Sequence, residues 1–257
     1  MRGAGTAGVR LVFLRGEKMS TERLDKIIAS QSSFSRKDAR NLIKDGGVCV
    51  NNKIMTSPDA AVDTDNDAIT LFGKPFTVKK FIYIMLNKPA GILSAAKDAR
   101  AKTVIDLVPP KMYRRGLFPT GRLDKDTTGF MLITDDGDFA HRILSPKNHV
   151  FKTYEARLAR PLMDGDLEKL SKGMILADNT KCLPAFAEVL NADGQPLVKV
   201  KIREGKYHQI KRMFTALGNE VIELKRTKIG DLQLDPALKE GECREISGAE
   251  VLLIIND

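Results

Sequence analysis

No apolar run in this 257-residue chain approaches the roughly 20 residues that a membrane-spanning helix needs. The longest runs, Val251 to Ile255 and Phe130 to Ile133, have the length of a strand or of one helical turn. Cysteine is scarce: Cys49, Cys182 and Cys243 stand far apart and form no C-x-x-C pair. The three histidines, His141, His149 and His208, are equally scattered. Neither a zinc signature nor a disulfide framework fits that spacing, so a reducing cytoplasm is the expected compartment and no metal is expected. The first residues lack the marks of a targeting segment. Val12-Phe13-Leu14 is too short for a signal-peptide core and runs into Arg15, and serine is missing where a transit peptide would be rich in it. Residues 1–19 are read as a flexible leader, with Met19 as an alternative start.

What the chain does have is positive charge. Against 33 Asp and Glu stand 42 Lys and Arg, a formal net charge of +9. That excess favours a polyanionic partner. A hydrophobic content of 42% and a charged content of 29% are ordinary for a folded globular protein, which sets disorder aside. The length accommodates one medium domain and one small one.

The small one is read over residues 20–72. Leu24, Ile27 and Ile28 have helical spacing. Ser35-Arg36-Lys37-Asp38 is a capping-box pattern opening a second helix that buries Ala39, Leu42 and Ile43 and stops at Gly46-Gly47. Arg36, Arg40 and Lys44 recur every four residues and form a cationic stripe with Lys37 beside it. By itself such a stripe is more often a solvated face than a binding surface. Val48-Cys49-Val50 reads as a strand, Asn51-Asn52 as a turn, and Lys53-Ile54-Met55 as the strand pairing back. The order helix, S-R-x-x-A-x-x-L-I, glycine turn, V-x-V-N and Pro58 loop resembles the S4 domain, an RNA-binding module of α-L type. The resemblance implies that Arg36, Lys37, Arg40 and Lys44 contact RNA phosphates. Residues 73–80, with Gly73, Pro75 and exposed lysines, are read as a linker.

From residue 81 to 257, strands and helices alternate without a βαβ period. Phe81 to Leu86 reads as a buried strand entering the Asn87-Lys88-Pro89 turn, and Phe130 to Thr134 as another. Residues 152–158 and 197–203 alternate, the first placing Tyr154, Ala156 and Leu158 on one face. This order predicts an α+β domain around a mixed, mainly antiparallel sheet.

Two segments carry chemistry. Gly121-Arg122-Leu123-Asp124-Lys125-Asp126-Thr127-Thr128-Gly129 places two carboxylates and two hydroxyls directly before a buried strand, where a loop is held rigidly. The competing reading is a turn whose Asp and Thr side chains cap their own backbone. Glu204 to Met213 follows an alternating strand and opens a helix. Between Leu197 and Lys228 there are nine basic residues and three acidic ones. Cations at a helix start oppose the macrodipole, so this segment calls for an anion to meet it.

G-R-L-D-x-D-T-T-G, then S-P-x-x-H with K-T-Y, then E-G-x-Y-H-Q-I-K-R-M, resemble in order and spacing the S4-domain-containing pseudouridine synthases, in the branch acting on small-subunit 16S ribosomal RNA. The resemblance runs from about Glu22 to the C-terminus. It implies that Asp124 is the reacting carboxylate, Lys211 the basic residue paired with it, and Tyr154 the ring stacked on a flipped uracil beside Ile210. Arg122 would fill the vacated RNA stack. His208 and Gln209 would contact substrate, with His208 orienting its loop, and Lys206 and Arg212 would contact RNA. Asp126 is read as the turn-former, and Asn87-Lys88-Pro89 as structural support. His141 and His149 are read as structural or RNA-facing. The expected partner is 16S rRNA or a small-subunit assembly intermediate, met by a monomer without cofactor. Two other readings stay open: a synthase acting on large-subunit 23S rRNA, and a non-catalytic S4-type ribosome-assembly factor. Relatives acting on the large subunit tend to carry Asn at the Asp126 position and to lack the Tyr207-His208 pair. Attack of the carboxylate at C1′, attack at C6, and assistance to a glycal route are all compatible with the motif.

Overall fold

The computed structural model describes residues 21–148, 150–191 and 195–255, so the leader 1–19 and His149 lie outside the described residues. The chain divides into two compact units. One is built from Phe34–Val78 and the residues before 31; the other runs from residue 79 onward and includes Gln31–Ser33.

In the small unit, β1 (Thr21–Arg23) leads into α1 (Leu24–Gln31) and α2 (Arg36–Lys44). The strands β2 (Val48–Val50), β3 (Lys53–Met55), β4 (Ala61–Asp63), β5 (Ile69–Leu71) and β6 (Lys74–Phe76) follow. The capping box forms as expected: the Ser35 hydroxyl accepts the Asp38 amide at 3.1 Å, and the Asp38 carboxylate accepts the Ser35 amide at 3.0 Å. Leu24, Ile27, Ile28, Ala39, Ile43 and Val62 are fully buried or nearly so in one core. The helical stripe is therefore left on the outer face, where Arg36, Lys37, Arg40 and Lys44 line a shallow groove. Arg36 also lies 3.5 Å from the buried Asp25 carboxylate, which Arg23 holds as well, at 3.1 Å. Those two guanidiniums offset the burial that would otherwise raise the Asp25 carboxyl, and its pKa lies below the ordinary value.

The segment 73–80 is not simply a linker. Lys74–Phe76 is an edge strand paired antiparallel with β5. Phe72 and Gly73 both take positive φ, +49° and +73°, which makes the tight hairpin turn. Pro75 sits on the sheet edge, where a missing amide donor costs nothing. A Gly-x-Pro signal therefore marks a turn and an edge strand here, rather than a break.

The large unit is an α+β domain. Its main sheet has the order β13 (Phe186–Asn191), β14 (Leu197–Ile202), β10 (Lys152–Leu158), β15 (Val221–Ile229), β9 (Thr128–Thr134), β7 (Tyr83–Lys88) and β17 (Cys243–Glu245). The short β8 (Phe118–Pro119) pairs with β9, β16 (Leu232–Gln233) pairs with β15, and β11 (Met174–Ile175) pairs with β12 (Lys181–Cys182). Every strand pair of the main sheet is antiparallel except β15 with β9. Ile84, Leu86, Met131, Ile133, Tyr154, Ala156, Val198 and Val200 face one core with α5 (Gln209–Ala216). Met85, Phe130 and Leu132 face a second core with α3 (Gly137–Leu144) and α6 (Gly248–Ile255). Covering β7 and β9 on both faces explains why their apolar residues run without alternation. A last helix, α4 (Asp166–Lys172), lies against β13. Among the described residues no helix is long and apolar enough to cross a membrane.

The parallel pairing of β15 and β9 decides one glycine. Gly129 has φ +95°, and a Cβ placed there would lie 2.3 Å from the Arg226 carbonyl oxygen. The backbones meet at that point, directly after the acidic loop. Gly129→Ala is expected to destabilise the protein by about 2–3 kcal/mol, an overpacking cost to which the positive φ adds; urea denaturation beside Gly91→Ala, where a Cβ meets nothing within 4 Å, measures it against a glycine of similar φ.

Candidate active site

The loop from Gly121 to Thr127 enters β9 and is held by its backbone from beneath. The Ser94 hydroxyl donates to the Leu123 carbonyl at 2.8 Å and accepts the Leu123 amide at 3.1 Å. The Gly91 amide donates to the Lys125 carbonyl at 2.8 Å. Lys88 is fully buried at the end of β7, and its ammonium donates to the carbonyls of Pro89 at 3.0 Å, Lys125 at 3.2 Å and Thr127 at 2.8 Å. Residues 123, 125 and 127 are tethered by main-chain groups, and the side chains of Arg122, Asp124 and Asp126 between them are left exposed or half-buried. Burial pushes the Lys88 ammonium down to about 8, and Arg226 adds to that, while Asp126 and Asp124 work against it. Lys88 and Ser94 were not picked out as site residues from the sequence. The sole signal was the Asn87-Lys88-Pro89 turn, and nothing in its spacing shows a buried ammonium.

The opposite wall is Glu204 to Lys211. Glu204 is buried, and its Oε1 accepts the Leu183 amide at 2.8 Å and the Gln209 side-chain amide at 2.9 Å. Gln209 in turn accepts the Lys206 amide at 3.0 Å. His208, the residue before α5, takes left-handed backbone angles of φ 46° and ψ 35°, unusual for a side chain of its size. Its Nε2 lies 3.4 Å from Asp124 Oδ1, and its ring stacks on Tyr207 with centroids 3.8 Å apart and planes 18° apart.

Together the two walls form a cleft lined by Arg122, Asp124, Thr127, Tyr154, His208 and Ile210, among others. Tyr154 and Ile210 are buried to 7% and 4% exposure and supply the apolar surface. The Thr127 hydroxyl is buried and has no hydrogen-bond partner among the described residues, so the cleft holds an unclaimed polar group. Arg122 is exposed at the cleft.

Several expectations change here. Lys211 does reach Asp124, but at 3.8 Å from Oδ2; its close partner is Asp126, at 2.6 and 2.7 Å. Asp126 is therefore an ion-pair partner with its side chain 73% exposed, holding Lys211 while its own backbone amide also donates to the carboxylate. The hydrogen bond from Lys211 lowers the Asp126 carboxyl below its ordinary range, against a smaller opposing effect of burial. Gln209 lines the cleft, but both ends of its amide are engaged by Glu204 and Lys206. Lys206 pairs with Glu204 and with the Lys181 carbonyl, and Arg212 pairs with Asp178. The anions that the cationic helix start called for are thus supplied by the protein itself, by Glu204 within the same segment and by Asp126 and Asp178 from segments remote in sequence. His141 is exposed on α3. Among the described residues no group of three His, Cys, Asp or Glu gathers that could hold a metal ion.

Residues 82–216 match the RNA pseudouridylate synthase family, and residues 22–69 match the S4 domain. An uncharacterised RNA pseudouridine synthase of Bacillus subtilis is 45% identical over 90% of this chain and 98% of its own. The ribosomal small subunit pseudouridine synthase A of Vibrio vulnificus is 40% identical over 89% of this chain and 97% of its own. The ribosomal large subunit pseudouridine synthase B of Bacillus subtilis is 38% identical over 90% of this chain and 94% of its own. A crystal structure of a pseudouridylate synthase superposes with a TM-score of 0.63 at 37% identity, covering 91% of this chain and all of the other.

Two variants separate the roles of the cations. Asp126→Asn is expected to cost less than about 1 kcal/mol in urea denaturation, since an exposed ion pair contributes little. Lys88→Met removes a donor shared by three carbonyls, of which that of Lys125 keeps the Gly91 amide, and is expected to cost at least about 2 kcal/mol. Its dependence on pH has a definite sign. Between about pH 8 and the ordinary lysine range, the unfolded wild-type chain holds a proton that the native protein has released. Wild-type stability therefore rises relative to Lys88→Met between pH 8 and 10, by up to about 1.4 kcal/mol per pH unit. A gap that narrows over that interval contradicts the assignment.

Proposed function

This chain belongs to the RNA pseudouridylate synthase family, and from that premise we propose that it isomerises a uridine of 16S ribosomal RNA to pseudouridine in the cytoplasm, with Asp124 as the reacting carboxylate. The observation that carries this reading is the meeting of Asp124, Tyr154, Ile210 and His208 at one cleft, with the Lys211 ammonium beside the carboxylate.

The reaction breaks the C1′–N1 bond, rotates the freed uracil and joins C1′ to C5. The C5 proton leaves and N1 ends with one, so no electron is gained or lost and no redox partner enters. The target base must first leave its stack, at a cost of a few kcal/mol. Cationic surfaces gripping flanking phosphates supply that from contacts remote from the reacting atoms, and the groove of Arg36, Lys37, Arg40 and Lys44 is of that kind. Arg122, exposed at the cleft, is suited to the place the base vacates.

Inside the cleft the Tyr154 ring and Ile210 enclose the uracil and keep the detached base near the sugar. The Thr127 hydroxyl offers a hydrogen bond to its polar edge. Asp124 attacks as the carboxylate, with Lys211 and His208 next to its oxygens. The Tyr154 hydroxyl is the group of the cleft that takes the C5 proton in this reading.

The 16S assignment rests on the small-subunit relatives at 38–40% identity and on Asp126, Tyr207 and His208. The large-subunit relative at 38% keeps 23S rRNA as the competing substrate. Release of tritium from C5-labelled 16S and 23S transcripts, followed by mapping of the pseudouridine formed, decides between them. Asp124→Asn is expected to abolish release, by at least about a thousandfold, with RNA affinity within a few-fold of wild type. Release persisting in that variant rules out the carboxylate assignment. Tyr154→Phe is expected to slow release; full activity would confine Tyr154 to stacking.

A further inference from the structure

Tyr207 takes no part in the chemistry above, yet it is among the most exposed large side chains of the described residues, at 75%. It is not loose. Its carbonyl accepts a hydrogen bond from Arg212 at 3.2 Å, Arg212 is pinned by Asp178, and its ring lies flat on His208 at 3.8 Å. His208 is held in turn beside Asp124 by a left-handed backbone conformation that a non-glycine residue adopts at some cost. A solvent-facing aromatic ring is unfavourable in the free protein, and this one is held in a fixed orientation by its stack on His208, as a surface for a planar ligand would be.

The order outward from the cleft is Asp124, the His208 ring, and the Tyr207 ring. One face of Tyr207 covers His208 and the other is open. Two parallel rings at 3.8 Å with an 18° tilt have the spacing of a base stack, so a third planar ring can continue it. We propose that Tyr207 is the stacking site for the unpaired RNA base next to the target uridine, the His208–Tyr207 pair continuing the strand's stack at the point where the target has left it. This rests on the isomerase reading for its ligand. It adds a contact to the neighbouring nucleotide that reads no sequence, because every base has a π-face.

The test uses the full chain and two probes. In tritium release from C5-labelled Escherichia coli 16S and 23S rRNA transcripts, Tyr207→Ala is expected to lower kcat/KM about tenfold, through KM rather than kcat. Tyr207→Phe and Tyr207→Trp, which keep a ring, are expected to restore what Tyr207→Ala loses. In the second probe, a short oligoribonucleotide carries one uridine flanked on both sides by 2-aminopurine. Wild type quenches its emission and Tyr207→Ala does not. The proposal is overturned by a loss in kcat with unchanged KM, which would make Tyr207 a support for His208 at Asp124. It is equally overturned by Tyr207→Phe being as impaired as Tyr207→Ala, or by quenching that is absent or that survives the loss of the ring. Quenching needs no turnover, so a wild type that releases no tritium sinks the isomerase reading alone.

Discussion

A single buried ammonium holds the acidic loop in place. Among the described residues Lys88 has no carboxylate within hydrogen-bond reach, and its ammonium donates to the carbonyls of Pro89, Lys125 and Thr127. Keeping a cation there is costly, and the cost is offset by three carbonyl oxygens, of which that of Lys125 also accepts the Gly91 amide. The loop cannot relax without orphaning either the ammonium or the carbonyls. Ser94 and the Gly91 amide add two further ties at Leu123 and Lys125. Rigidity at residues 123, 125 and 127 fixes the direction of the side chains at 122, 124 and 126, which is what a preorganised site requires.

Above that loop the charge is shared rather than paired one to one. Lys211 lies closest to Asp126 and within 3.8 Å of Asp124, while His208 approaches the other oxygen of Asp124. Asp126 thus acts as a mooring for Lys211: it keeps the ammonium near the Asp124 carboxylate without letting it close a tight ion pair there. A carboxylate in a close bidentate pair would be a poorer nucleophile, so the looser geometry suits the proposed chemistry. The basic residues around it follow the same pattern, with Lys206 and Arg212 held by Glu204 and Asp178. Each of those two cations thus has an anionic partner within the protein.

Much of this architecture could be read before any coordinates. The alternation from Lys152 to Leu158 gives a strand with those same bounds and puts Tyr154 inward, because side-chain direction in a strand follows from the backbone period alone. The Ser35–Asp38 box was legible for a similar reason, since both partners lie within one helical turn. The long strand Val221–Ile229 was not, although it lies between β10 and β9. Its charged residues, among them Glu223, Lys225 and Lys228, mask the period, and Arg226 is buried where a basic residue is expected to be exposed. The edge strand in residues 74–76 was read as a linker because a proline tolerated at a sheet edge gives the same signal as one that breaks a chain.

The sequence by itself determined the α+β class and the capping of the basic helix, and its motifs carried the family resemblance that implied Asp124, Tyr154 and Ile210 as residues of one cleft. These depend on local periods or on motifs whose spacing is their content. Only the tertiary structure decided that Lys211 pairs first with Asp126, that Gln209 braces Glu204, and that Lys88 lies beneath the loop. Those partners are separated by anything from 5 to 85 positions along the chain. What joins them is the distance between packed elements, and an ion pair forms with whichever carboxylate the packing brings nearest.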